Sequence, residues 1–526
     1  MPLIRLNQTK ENVVARRSRR RGGEGGVGET SSKIYQLPRQ QLKNPYLPTE
    51  VLSEDQLETI HLASLKILKE IGIDILLPAA KEYYKNAGAD VDSNSDRVRF
   101  DPAMVESFIG LAPSTVTLLA RNPENNMIIG ENYVHFDTVS STPNVSDIDG
   151  GRRPGNKKDF HNLVRLAQHF NVISCIGGYP VEPLDYHPST RHLEATRDII
   201  QLSDKPIRGY SLGLTRLQDA LTMSKISRGL GEHSEINDTI LMTTINVNSP
   251  LVLDDAMLEG IIEMAKTNQL SILTPFTLAG AMAPVTLAGA IAQQNAECLA
   301  AYMLSQIVVP GAPIMYGGFI SNVDMKSGSP AFGTPEYVKT AMAGGQLARK
   351  YDLPYRSSNV NASNAVDAQS AYESVFSLWG AIMGGANLLK HGAGWMEGGL
   401  VASFEKFILD VDLLQMFTEF LTPIKVSDAE LGLEAIADVG PAGHFFATEH
   451  TQERYKTAFY PPILSDWRNF ESWHEAGEPK THEKANTVYK QALEEYQQPH
   501  LDASINEELI AFVDRRIAEG GIATDF

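Results

Sequence analysis

Cysteine is almost missing from this chain: 526 residues contain only Cys175 and Cys298, with no C-x-x-C pair. That excludes a disulfide framework, makes a thiolate zinc site an unsuitable reading, and fits a cytoplasmic protein. Long apolar runs are missing too. The richest stretch, "LSILTPFTLAGAMAPVTLAGAIAQQ", is broken by Pro, Gly, Thr and Gln, so no membrane span is expected. Positive charge is scarce: 46 Lys and Arg stand against 64 Asp and Glu, and the net charge of −18 opposes binding to nucleic acid or an anionic membrane. The first strand-like run is not followed by GxGxxG, which argues against a doubly wound nucleotide-binding sheet. The start, "ARRSRRRGGEGGVGETSS", lacks the apolar core of a secretory signal. Residues 1–44 are expected to form a flexible basic and glycine-rich arm that is solvated or lies over a neighbouring subunit, with a polyanion-binding arm as the alternative.

What is present suits a large folded enzyme, with 43% hydrophobic and 21% charged residues. From "SEDQLETIHLASLKILKEIGIDI" the pattern is helical. Ser53 is placed to cap, and Leu57, Ile60, Ile67, Leu68 and Ile71 recur on one face. With the mixed segment that follows, residues 45–130 are expected to form an N-terminal α+β cap.

Eight short apolar or β-branched runs then appear, "YVHFDTV", "NVISCIGGYPV", "PIRGYSLG", "TILMTTINVN", "LSILTPFTLA", "PIMYGGFISN", "PYRSSNVN" and "NLLKHGAGWMEGG". Helix-length segments separate them and one follows the last. This alternation predicts an α/β fold, an eight-stranded β/α (TIM) barrel over residues 131–423. Residues 424–526, rich in His, Arg, Tyr and Trp and ending in two charged amphipathic segments, are expected to form a C-terminal helical extension that packs on the barrel or on a partner subunit.

A barrel places its chemistry at the C-terminal ends of its strands. Those ends offer an aromatic ring almost everywhere: Tyr179, Phe276, Tyr316, Phe319, Tyr355 and Trp395. Ring faces around a cavity attract a cation, and a quaternary ammonium group is the natural guest because no hydrogen bond can satisfy it. Glu397, after the eighth run, would balance such a cation, act as a base, or pair with a neighbouring loop; Asp137 is a weaker case of the same kind. Lys390 is a candidate Schiff-base lysine, which would make the protein another kind of barrel enzyme such as a lyase. The spacing of His444, Glu449 and His450 is not that of a zinc motif, and no tightly bound zinc is expected.

The segments "TPFTLAGAMAPVTLAGAIAQQNAECLAAYMLSQIVVPGAPIMYGG", "VDMKSGSPAFGTPE", "HGAGWMEGGLVASFEKFILDVDLL" and "VGPAGHFFATEHT" resemble the trimethylamine:corrinoid methyltransferase family, from about residue 50 almost to the C-terminus. The resemblance implies a β/α barrel that passes a methyl group from a methylated amine to the cobalt of a corrinoid (cobalamin) carried by a partner protein. Trimethylamine enzymes of that family carry a pyrrolysine at the end of the seventh barrel strand. Here the position falls on Val360 or Asn361, which places the chain in the non-pyrrolysine branch and points to glycine betaine or a similar quaternary ammonium substrate. Placed at the strand ends, Glu397, Asn359 and Asn361 are the candidates for catalysis or orientation, with Tyr179, Phe276, Tyr316, Phe319, Tyr355, His391 and Trp395 around the substrate. Asn359, Asn361, His391 and Arg356 are the candidates for a betaine carboxylate. A homo-oligomer is expected, and a binding protein without turnover is the remaining alternative.

Overall fold

The computed structural model of the chain describes residues 33–523. Most of the expected basic arm therefore lies outside the described residues. The expected first helix forms at Glu54–Lys66: the Ser53 hydroxyl accepts from the Gln56 backbone N–H, and the Gln56 side chain accepts in return from the Ser53 N–H. A five-residue π turn, Ile67–Ile71, closes it. This wider turn breaks the 3.6-residue phase, so Leu68 is fully buried while Ile71 comes out half exposed.

The centre is a curled parallel sheet of seven strands: β1 His135–Thr138, β2 Arg208–Gly209, β3 Met242–Val247, β4 Leu270–Pro275, β5 Ile314–Gly317, β6 Tyr355–Ser358 and β7 Leu388–Ala393. Their order is β1-β7-β6-β5-β4-β3-β2. Two isolated parallel bridges, Asp137 with Cys175 and Ile176 with Ile207, connect the remaining apolar run to both ends of this sheet. The curl is visible in a single contact: Lys390 Nζ on β7 reaches Thr244 Oγ1 on β3 at 3.4 Å, past three intervening strands. Every helix-length segment between the runs is a helix, from Lys157–His169 to Phe404–Phe420.

The N-terminal end of the concave face is plugged. A hairpin of Thr115–Leu118 and Met127–Gly130 inserts Leu118, Met127 and Ile129, which form a fully buried cluster with Cys175, Met242, Leu270, Ile272, Met315 and Leu388. The cap sheet is not built from the cap alone, since Ile73–Ile75 pairs in parallel with Val252–Leu253 from the loop after β3. At the opposite end two small sheets extend the strands. One joins Thr277–Ala279, Ile320–Val323 and Pro330–Ala331; the other joins Trp395–Met396, Val401–Ser403, Asn144–Asp147 and Gly151–Pro154. In the extension, the Thr481–Glu495 and Ala503–Ala518 helices lie against the helices of the central fold. Among the described residues no helix is long and apolar enough to cross a membrane.

Candidate active site

Above the plug the concave face turns from apolar to charged. Lys390 Nζ lies 3.3 Å from Asp137 Oδ2 and from the Gly177 carbonyl oxygen, and both side chains are fully buried. Arg356, on β6, is buried as well, and Arg208, on β2, completes the group. Burial, with the charge of Arg208 and then that of Arg356, pushes the Lys390 ammonium down to about 7 against the pull of Asp137. Burial likewise lowers the Arg356 guanidinium to about 10. Asp137 acts on Lys390 and Arg356, and Glu182 acts on Arg208, so two carboxylates stand against three cations and the group carries excess positive charge when Lys390 is protonated.

Several of these buried atoms have no partner within the chain. Arg356 Nε and Nη1 and Arg208 Nε are without a hydrogen bond, as are Asn359 Oδ1, Asn361 Oδ1 and His391 Nδ1, whereas Asp137 Oδ2 has Lys390 as its ion-pair partner. A buried donor left unmade costs about 1–3 kcal/mol, more when charged. Such a concentration on one face marks a place built to receive a polar guest.

Aromatic rings border this group. Phe319 stands 5.2 Å from Phe276, 5.9 Å from Phe332 and 6.3 Å from His391, between ring centres. Trp395 continues the wall at 4.1 Å from His391 and 6.2 Å from Phe332. A second pair, Tyr179 and Tyr210, lies with centres 4.5 Å apart. The arginines join charge to wall: Arg356 sits 5.2 Å from the Phe319 ring centre and Arg208 4.3 Å from that of Tyr210.

Local backbone chemistry sets this wall. The pairing of β7 with β1 shifts register between Leu389 and Ala393, and His391 takes φ 56° inside that irregularity. A bulge of this kind re-aims a side chain, here the imidazole onto Trp395. Burial, and then the charges of Arg356, Lys390 and Arg208, hold this imidazole well below its ordinary value and therefore neutral. Asn359 and Asn361 fasten the end of β6 to the neighbouring segment. Asn359 Nδ2 donates to the Gly392 carbonyl at 3.0 Å, Asn361 Nδ2 donates to that of Trp395 at 2.6 Å, and Trp395 Nε1 donates back to the Asn361 carbonyl at 3.2 Å.

Of the residues singled out from sequence, Phe276, Phe319, His391, Trp395, Asn359 and Asn361 are thus brought together, and Tyr179 joins through Tyr210. Tyr316 and Tyr355 are not. The Tyr316 hydroxyl donates to Asn295 Oδ1 at 3.0 Å and that of Tyr355 to the Ala341 carbonyl at 2.7 Å, so both rings pack between sheet and helices. Strand alternation is the reason for Tyr355: adjacent residues face opposite sides, and Arg356 takes the inner one. Glu397 sits at the rim, where Arg152 Nε, on the strand Gly151–Pro154, donates to its two oxygens at 3.2 and 3.1 Å. Two residues of the cluster were not anticipated. Arg208 was legible as a charge inside the third strand run. Phe332, in "SGSPAFGTPE", follows a two-residue strand and gave no periodic signal.

Comparison with known proteins is consistent across the chain. The family model described as trimethylamine methyltransferase (MTTB) matches residues 16–521. A glycine betaine methyltransferase of Desulfitobacterium hafniense strain Y51 is 35% identical over 472 residues, covering 90% of this chain and 98% of that protein. The trimethylamine methyltransferase MttB of Desulfitobacterium hafniense strain DSM 10664 is 29% identical over 475 residues, with 90% and 95% covered. Among solved structures, the Methanosarcina barkeri monomethylamine methyltransferase superposes with a TM-score of 0.48 at 12% identity, over 86% of this chain and 89% of that one.

Proposed function

The chain belongs to the trimethylamine methyltransferase family, and from that premise we propose that it removes a methyl group from a quaternary ammonium acid, glycine betaine first, and delivers it to a corrinoid carried by a partner protein. The observation that carries the substrate assignment is the contact between wall and charge. Rings for a trimethylammonium group adjoin two arginines with unpartnered buried donors that want an anion, and Lys390 stands beside them. Glycine betaine joins those two groups through one carbon, and it is the compact zwitterion this arrangement fits. Trimethylamine would fill the wall and leave the arginines unpaired.

Seven residues of the chain divide the work in this reading. Phe319 and Trp395, with Phe276 and Phe332, hold the cation and exclude water; Arg356 and Arg208 hold the carboxylate, which fixes the orientation of the N–CH3 bonds. Lys390 adds charge when protonated. A quaternary nitrogen leaves as a neutral tertiary amine, so the chain need not supply a proton to the leaving group. The corrinoid, when the partner brings it, supplies the nucleophilic metal. The face after the strands suits such a partner, because Val285, Met325, Leu400 and Ile148 are exposed apolar residues in the segments that follow them. The two isolated bridges support closure of the sheet into an eight-stranded barrel, which gives the site its enclosing wall. The same reading divides the chain into cap, barrel and C-terminal extension.

The test is incubation of the protein with cobalt(I) cobalamin and, separately, glycine betaine, choline and trimethylamine, with the demethylated amine followed by mass spectrometry. Dimethylglycine should form, and the two compounds without a carboxylate should react at least tenfold more slowly. No product from glycine betaine, or equal rates with all three, would sink the proposal.

A further inference from the structure

The structure carries two large apolar surfaces that its own chain does not cover. The first is residues 422–476, which leave the end of the Phe404–Phe420 helix and in which only Ala435 and Leu464 are buried. Ile424, Val426, Phe446, Phe459 and Trp467 along it are each more than 70% exposed. Its helices, Asp428–Leu431, Leu433–Val439, Glu449–Arg454 and Phe470–Glu475, have four to seven residues. Helices that short do not hold themselves in water and need a surface to lie on. The second surface is a helix face: Tyr372, Phe376 and Trp379 recur at steps of four and three along Ala368–Met383. They continue into Met416 and Phe420, and all five are at least 40% exposed.

The two surfaces share a root. The arm begins beside Phe420 and returns to the same helix, where Asp412 accepts from the Tyr460 hydroxyl at 2.8 Å and from the Ile463 and Leu464 N–H groups at 2.9 and 3.0 Å. Both are exposed at once, so the arm does not lie on its own chain's face. The face is also remote from the proposed substrate site, because its two helices flank the outer side of β6 and β7.

We propose that residues 422–476 of one copy lie across the Tyr372, Phe376 and Trp379 face of a second copy, reciprocally. A twofold axis between adjacent arm roots makes both contacts at once, since each chain offers one arm and one face. The exposed apolar side chains involved amount to on the order of 1,000 Å² per copy, enough for a stable interface, which needs about 800 Å² per partner.

Light scattering on the full-length protein at micromolar concentration tests this. The expected mass is at least twice the chain mass of 57.7 kDa, and Trp379→Glu and Phe446→Glu should each lower it to that of a single chain while far-ultraviolet circular dichroism stays unchanged. Two copies with different tags, one carrying Trp379→Cys and the other Phe459→Cys, should crosslink to each other on oxidation; the native cysteines are both buried and give little background. A single-chain mass for the unaltered protein, an unchanged mass in either glutamate variant, or no crosslink between the tagged copies would overturn the proposal.

Discussion

At the scale of single residues, the arginine on β6 is the most informative group. Arg356 has packing on its ring side through Phe319 and two unpartnered nitrogens on the other. Loss of a charged hydrogen bond costs about 1.5–3 kcal/mol, so Arg356→Gln should raise KM for glycine betaine by roughly ten- to a hundredfold. Affinity for choline, which has no carboxylate, should change less than threefold in an equilibrium titration. Lys390 adds a pH dependence whose sign follows from its lowered value. In the free protein its ammonium is held down to about 7, mainly by burial. A bound carboxylate favours the charged form and raises that value, so binding takes up a proton once the pH exceeds 7. Affinity for glycine betaine is therefore greatest below pH 7 and falls, by up to about tenfold per unit, as the pH rises through and above 7. Lys390→Met should weaken binding at pH 6 and flatten this slope, which KM measured from pH 6 to 9 will show. A slope that survives the substitution assigns the titration to another group.

At the scale of elements, the strand ends and the N-terminal hairpin divide the work. The hairpin Thr115–Leu118 and Met127–Gly130 closes one end of the concave face with the apolar side chains of Leu118, Met127 and Ile129. Ile129 is fully buried there, and shortening it to Ala should cost about 2–5 kcal/mol of stability, seen as a lower urea midpoint with an unchanged KM for the folded enzyme. The alternation of strand and helix was legible because both periods, two and 3.6, follow from side-chain burial on a regular backbone. The hairpin's role as a plug was not, since an apolar two-stranded ribbon carries no mark of which cavity it fills. Nor was the bulge that turns His391 toward Trp395, because it depends on the pairing of β7 with β1, which are distant in sequence.

At the scale of the whole molecule, the net charge of −18 surrounds a site whose own charge is positive. The excess of acidic residues keeps the surface from binding anions indiscriminately, and the buried arginines reserve that task for one place. The reciprocal arm proposed above belongs to this scale too, since it gives a covering to apolar residues that a single chain leaves in water. The sequence by itself determined the order of strands and helices, the family, and the rings and asparagines gathered at the ends of the strands, because composition and local period are written along the chain. Only the tertiary structure decided which rings meet: it sent Tyr316 and Tyr355 to the helices and paired Glu397 with Arg152. It also drew the half-buried Arg208 and the buried Arg356 and Lys390 from three strands into one group. Curling a sheet brings together side chains that lie far apart along the chain, and burial makes their charges act on one another where water would have screened them.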